Sequence, residues 1–153
     1  MKQKMNKRTT ITETIVILFV ILFLYTGISK LMDYKVFKEQ IAMSPILHSV
    51  APLIAWTLPW IEFLVVILLI IPRWRLKGLY ASLALMISFT LYIIYMLLFD
   101  KDLPCSCGGV IQLLSWSQHI VFNSLFILLA LTGVLVEKGI RVQNKRALAA
   151  ILK

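Results

Sequence analysis

Residues 51–71 read "APLIAWTLPWIEFLVVILLII", and the reading of this stretch decides the fold. It is apolar throughout except for one ionisable side chain, Glu62. As a helix rising about 1.5 Å per residue, it is long enough to cross about 30 Å of hydrocarbon. With Ala51 at one surface, Glu62 lies about 16 Å deep, near the midplane. A carboxyl there is costly, so it marks either a functional acid or a paired group that fixes helix packing. Both readings stay open on the sequence alone. Pro59, three residues earlier, removes a helix hydrogen bond and is expected to kink the segment, opening a polar pocket around Glu62.

Working outward, three further apolar runs have spanning length: 11–28, 79–99 and 116–136, the last with its apolar core from His119. The chain of 153 residues is 60% hydrophobic, which sets its class by membrane insertion. The expected fold is all-α, a four-transmembrane-helix bundle forming a single membrane domain over 1–153. No 20–50-residue repeat and no low-complexity segment interrupts it. The basic start "MKQKMNKR" resembles a signal-peptide n-region, but the run after it is too long for an h-region and no small-x-small cleavage site follows.

The net charge of +9 is distributed by loop. Lys2, Lys4, Lys7 and Arg8 precede the first run, and Arg73, Arg75 and Lys77 join the second to the third. Lys138, Arg141, Lys145, Arg146 and Lys153 follow the fourth. Twelve of the sixteen basic residues thus fall on one side, leaving Lys30, Lys35, Lys38 and Lys101 for the other. The positive-inside rule places both termini in the cytoplasm of a bacterial inner-membrane, multi-pass protein. The charge is a topology signal and a lipid-headgroup contact, with no nucleic acid as partner. The tail from 137 to 153 reads equally as a basic interfacial helix or as a frayed end.

The loop 100–115 then faces outward and carries the chain's two cysteines, Cys105 and Cys107, in "LPCSCGG". That compartment allows disulfides to form and persist. A bridge between residues i and i+2 closes a minimal ring and brings little chain-entropy benefit, so a structural staple is a poor account of it. Its geometry needs a sharp turn, which Gly108 and Gly109 ease, and a strained bridge is readily reduced. A redox-active pair is the expectation. The rival is a copper or zinc clip at Cys105, Cys107 and His119, for which no fourth ligand is visible; no metal site is assigned.

"SWSQ" reads as a capping box starting the fourth helix near Trp116, with Ser115 as N-cap and Gln118 at the third helical position. Four residues apart, His119 and Asn123 share a helix face. With Ser115, Ser88, Tyr92, Tyr95, Tyr25, Ser29 and Lys30 they could line a polar cavity below the cysteine loop, although hydrogen bonding between helices explains the tyrosines and Ser88 as well. His119 is the candidate proton donor or thiolate partner, because imidazole titrates near neutrality. His48 reads as a loop residue. Residues 29–47 resemble an interfacial segment, in which Lys30 and Asp33 are expected to form an exposed ion pair of little weight.

Three motifs in order resemble the MauE/DoxX-like family of redox-associated four-helix membrane proteins. They are "GISKLMDYKVF" at 27–37, similar to a Gly-x-x-Lys-Leu pattern followed by an acidic residue and a phenylalanine, then "LPWIE" at 58–62 and "CSCGG" at 105–109. The resemblance covers about residues 8–138. It implies a transmembrane bundle that works with an extracytoplasmic, thioredoxin-like partner in disulfide chemistry. For the MauE branch it implies maturation of methylamine dehydrogenase. Carried over, Cys105 and Cys107 are the redox pair and Glu62 the intramembrane acid. Catalytic candidates are therefore Cys105, Cys107, His119 and Glu62. A single cysteine pair suits a partner-dependent carrier, and thus a component of a thiol–disulfide oxidoreductase. The alternatives are a DoxX-type subunit of a respiratory complex with quinone as cofactor, and a metal-binding assembly protein. Beyond the lipid bilayer and the periplasmic partner, homo- and hetero-oligomers both remain open.

Overall fold

A computed structural model of the chain describes residues 2–44, 46–99 and 116–151. Five helices account for nearly all of them: α1 (Lys2–Met32), α2 (Tyr34–Met43), α3 (Ala51–Ile70), α4 (Arg75–Phe99) and α5 (Trp116–Ile151). A single 3₁₀ turn, His48–Val50, leads into α3, and His48 is exposed on it as a loop residue. Four stretches are long and apolar enough to span a bilayer: Arg8–Met32, His48–Ile70, Arg75–Leu98 and Ser117–Asn144.

The spanning helices form a ring in which α1 packs on α3 and α5, and α4 packs on the same two. Its core is apolar, with Phe19, Leu69, Leu79 and Ala130 fully buried. Phe19 stacks on Phe23 at 5.7 Å and meets Phe126 edge-on at 5.2 Å, so aromatic contacts tie α1 to α5. Burial covers only 28 to 33% of each spanning window. Ile17, Ile21, Leu53, Leu91, Val121 and Leu135 all point outward and are more than half exposed. An apolar surface of that extent belongs against lipid rather than water. This is a multi-pass membrane protein.

The helices outrun their apolar runs. α1 begins at Lys2, α4 at Arg75 and α5 continues to Ile151, because polar and basic turns remain helical beyond the hydrocarbon while hydropathy marks only the buried length. The tail after 137 is therefore helical as far as Ile151 and not a frayed end. Residues 34–43 form α2, which seats Ile41 against Ala51 and Ala55 at the start of α3.

α3 runs through Pro59 as one helix, with the proline ring buried. Pro52, in its first turn, occupies a position whose N–H has no helical partner, so the ring costs nothing there. The turn from α3 to α4 is tight: Trp74 N–H donates to Ile71 O at 2.9 Å, and Gly78 N–H to Trp74 O at 3.0 Å. A Cβ at Gly78 would stand 2.8 Å from the Leu69 backbone nitrogen, so glycine is what lets the two helices meet there.

This topology sorts the ends of the ring. The start of α1, the 71–74 turn and the end of α5 share one end, where Arg141 Nη2 donates to the carbonyls of Pro72 and Arg73, each at 3.2 Å. The end of α1, α2, the start of α3, the end of α4 and the start of α5 share the other.

Candidate functional site: a buried ion pair beside a membrane cavity

Hydroxyls in the helices mostly satisfy themselves. Thr14, Thr57, Ser82, Ser88, Thr90, Ser124 and Thr132 each donate to the carbonyl four residues earlier, which removes their cost in an apolar setting. Thr26 does otherwise: its Oγ1 donates across to Glu62 Oε1 on α3 at 3.3 Å. One turn further along α1, Lys30 Nζ donates to the same oxygen at 2.6 Å. Spacing of i and i+4 puts Thr26 and Lys30 on one face of α1, the face turned to Glu62.

Glu62 is wholly buried, and the Lys30 side chain is 12% exposed. A charge so placed is tolerable only with a partner, and here each supplies the other's. The ammonium also lies 5.7 Å from the centre of the Phe37 ring and 5.6 Å from that of Phe89, inside cation–π range of both. Lys30 therefore joins α1, α2, α3 and α4 through a single side chain. The expected Lys30–Asp33 pair is replaced by this one, because a desolvated carboxylate has far more to gain from the ammonium than a carboxylate in water. Gly27 makes the approach feasible: a Cβ there would meet Phe63 Cε1 at 2.7 Å and Glu62 Oε2 at 3.3 Å.

The pair forms part of the wall of a cavity of about 260 Å³ between all five helices. Of the stripe read from sequence, Lys30, Ser88, Tyr92, His119 and Asn123 line it. Tyr25, Ser29 and Tyr95 are not part of the lining, and Tyr25 is exposed on the outer face of α1. Glu62 and His119, both predicted site residues, are thus brought to one cavity, with His119 buried in the first turns of α5. α5 begins at Trp116 as its capping pattern implies, while Ser115 lies outside the described residues. Cys105 and Cys107 also lie outside them. Among the described residues no three His, Cys, Asp or Glu side chains cluster as metal ligands, and the alternative clip has two of its three ligands beyond that set.

Sequence reading missed Thr26, Gln40 and the aromatic walls Phe37 and Phe89. Thr26 was within reach, since it stands one turn before Lys30, and so was Phe89, beside Ser88 on α4; Phe37 and Gln40 depend on how α2 folds over the bundle.

Two buried polar atoms in this lining lack a partner. Glu62 Oε2 and Asn123 Nδ2 make no hydrogen bond among the described residues. Leaving a buried group unpaired costs about 1–3 kcal/mol, so such atoms are expected where something else binds.

Fold and site together define a four-span helical membrane protein with an ion pair bridging its helices at the wall of a cavity between them. The chain belongs to the MauE family, described as "Methylamine utilisation protein MauE", which matches residues 8–136. It is thus a multi-pass membrane protein of a methylamine-utilisation family. Comparison with curated proteins and with solved structures finds no match.

Proposed function

We propose that the chain is a thiol–disulfide carrier of the bacterial inner membrane. In this reading Cys105 and Cys107 exchange electrons with a periplasmic thioredoxin-like partner, in the service of methylamine dehydrogenase maturation. The observation that carries it is one of connectivity. The cysteine-bearing segment joins Phe99 of α4 to Trp116 of α5, at the end of the ring where the cavity stands. Cys105 is six residues from Phe99, so extended chain limits its distance from that helix end to about 20 Å. The family match supports the same reading, because disulfide chemistry is what the resemblance of its cysteine motif implies.

The exchange balances without a further reactant. One thiolate of the reduced pair attacks the partner's disulfide, forming a mixed disulfide and releasing one partner thiolate. The second cysteine then attacks the mixed disulfide at its own chain's sulfur. This closes the Cys105–Cys107 bridge and releases the partner as a dithiol, and the reverse sequence oxidises the partner. Two electrons and two protons change hands. His119 serves as the proton acceptor and donor, and Glu62 holds Lys30 in a neutral ion pair at the cavity wall. The concentration of Arg8, Arg73, Arg75, Lys77, Lys138 and Arg141 toward the opposite end supports a cytoplasmic location for that end and a periplasmic one for the cysteines.

Thiol trapping on spheroplasts with a membrane-impermeant maleimide tests this. Labelling of both cysteines only after mild reduction is the expected result, followed by a trapped mixed disulfide in Cys105→Ser or Cys107→Ser. Absence of labelling in both conditions, with an outward control cysteine labelled, would overturn the topology and with it the proposal.

A further inference from the structure

The basic end of the bundle attracts anionic headgroups as a whole without selecting any one of them. Two of its cations are placed in a way that net charge does not explain. α5 packs between α1 and α4, so one of its faces is left to the lipid. On that face Leu128, Leu131 and Leu135 are 62%, 42% and 69% exposed, and Gly139 continues the same stripe one turn on. From the α1 side Arg8 lays its guanidinium against this glycine. A Cβ there would meet Arg8 Nη1 at 3.4 Å and, among the described residues, no atom of another helix besides. From the α4 side Lys138 Nζ lies 5.2 Å from the centre of the Tyr80 ring, which is itself exposed.

Neither cation has an anionic partner within the protein. Arg8 and Lys138 form no ion pair among the described residues, and Glu137, the buried acid of this end, is taken by Arg141. Packing does not require the glycine either. A Cβ at 3.4 Å from a flexible guanidinium makes an ordinary contact, yet glycine weakens a helix relative to alanine. What it leaves is a notch, flanked by Arg8 on one side and by Lys138 on the other. The level of the notch suits a phosphate. The apolar run ends at Val136, and three residues further along the helix is about 4.5 Å outside the hydrocarbon. Back from Gly139 to Leu128 the stripe descends about 16 Å, the depth of one leaflet. Notch and leucine track are continuous, as a headgroup joined to an acyl tail requires; a soluble anion makes no use of the track.

We propose that this notch binds one anionic phospholipid of the adjoining leaflet, its phosphate held between Arg8 and Lys138 and one tail lying along Leu135, Leu131 and Leu128. The Tyr80 ring holds the Lys138 ammonium in place through its π face.

The test counts lipids retained on the purified full chain by native mass spectrometry from detergent. Three probes are titrated: dioleoylphosphatidylglycerol, dioleoylphosphatidylcholine, which has the same tails, and glycerol phosphate, which has none. One saturable phosphatidylglycerol per chain is expected, held about ten-fold tighter than phosphatidylcholine, with no retained glycerol phosphate. Arg8→Gln and Lys138→Gln should each weaken phosphatidylglycerol about five-fold. Gly139→Leu, which keeps every charge and fills the notch, should weaken it as much. Arg73→Gln/Lys77→Gln removes two exposed charges from the same end but outside the notch, and should change the affinity by less than about two-fold. Helical content and elution volume establish that each variant folds. Equal affinity for the two lipids, retention of glycerol phosphate as tight as that of phosphatidylglycerol, or unchanged binding in folded Gly139→Leu would each overturn the proposal. So would an equal loss in Arg73→Gln/Lys77→Gln and in Arg8→Gln/Lys138→Gln, which is the signature of diffuse attraction. The Cys105→Ser/Cys107→Ser chain should bind the lipid as the unaltered chain does, so this site stands or falls apart from the thiol reading.

Discussion

Each end of the bundle contains a glutamate bound to a basic side chain, and the two pairs behave differently. At one end Arg141 Nε donates to Glu137 Oε1 at 3.1 Å, one turn apart on α5, with the arginine side chain 37% exposed. At the other, Lys30 and Glu62 meet across 32 residues of sequence, with the carboxylate fully buried. The first pair is local, its carboxylate buried but its arginine reaching water, and that arginine also ties the 71–74 turn to α5. The second bridges helices in an apolar medium, supported by Thr26 on the carboxylate and by the Phe37 and Phe89 rings on the ammonium. The comparison teaches that burial, more than distance, decides what an ion pair is worth.

The largest effect should come from splitting the buried pair. Lys30→Met, which strands Glu62, is expected to cost about 3–5 kcal/mol in detergent-titrated unfolding of the bilayer-reconstituted chain. A cost under about 1 kcal/mol would erase the contrast between the two ends. Next, Lys30→Met combined with Glu62→Leu should recover most of that loss, because two apolar groups of similar size replace two desolvated charges. Gly27→Ala comes third. Its Cβ would stand 2.7 Å from the Phe63 ring, so overpacking should cost about 1–3 kcal/mol, with Phe63→Leu restoring part of it. The smallest effect is Arg141→Ala, expected to cost about 1 kcal/mol or less and to shrink as salt is raised. Salt should leave the penalty of Lys30→Met nearly unchanged, and a parallel response at both ends would refute the distinction drawn from burial.

Legibility followed the same division. The four spans could be read because each apolar run matches the hydrocarbon thickness, and the depth of Glu62 followed by counting residues. His119 and Asn123 could be placed on one face because helical periodicity requires it. The partner of Glu62 could not be read. Lys30 has Asp33 three residues away and Glu62 on another helix, and sequence spacing favours the nearer. Nor could the fold of 34–43 be read as a wall of the site, since a mixture of basic and apolar residues suits any interfacial segment. Phe37 reaches Lys30 only because α2 packs back on the start of α3.

The sequence by itself determined that the chain spans a membrane four times, that its basic residues gather on one side, and that a carboxylate lies at mid-depth. Each rests on local quantities: run length, charge count and rise per residue. Only the tertiary structure decided which cation neutralises that carboxylate, which polar residues share a cavity and which face lipid. It also decided that Glu62 Oε2 and Asn123 Nδ2 find no hydrogen-bond partner among the described residues. Those outcomes depend on how the ring closes, because in a desolvated interior a charge takes the partner that helix packing brings within reach, whatever its distance along the chain.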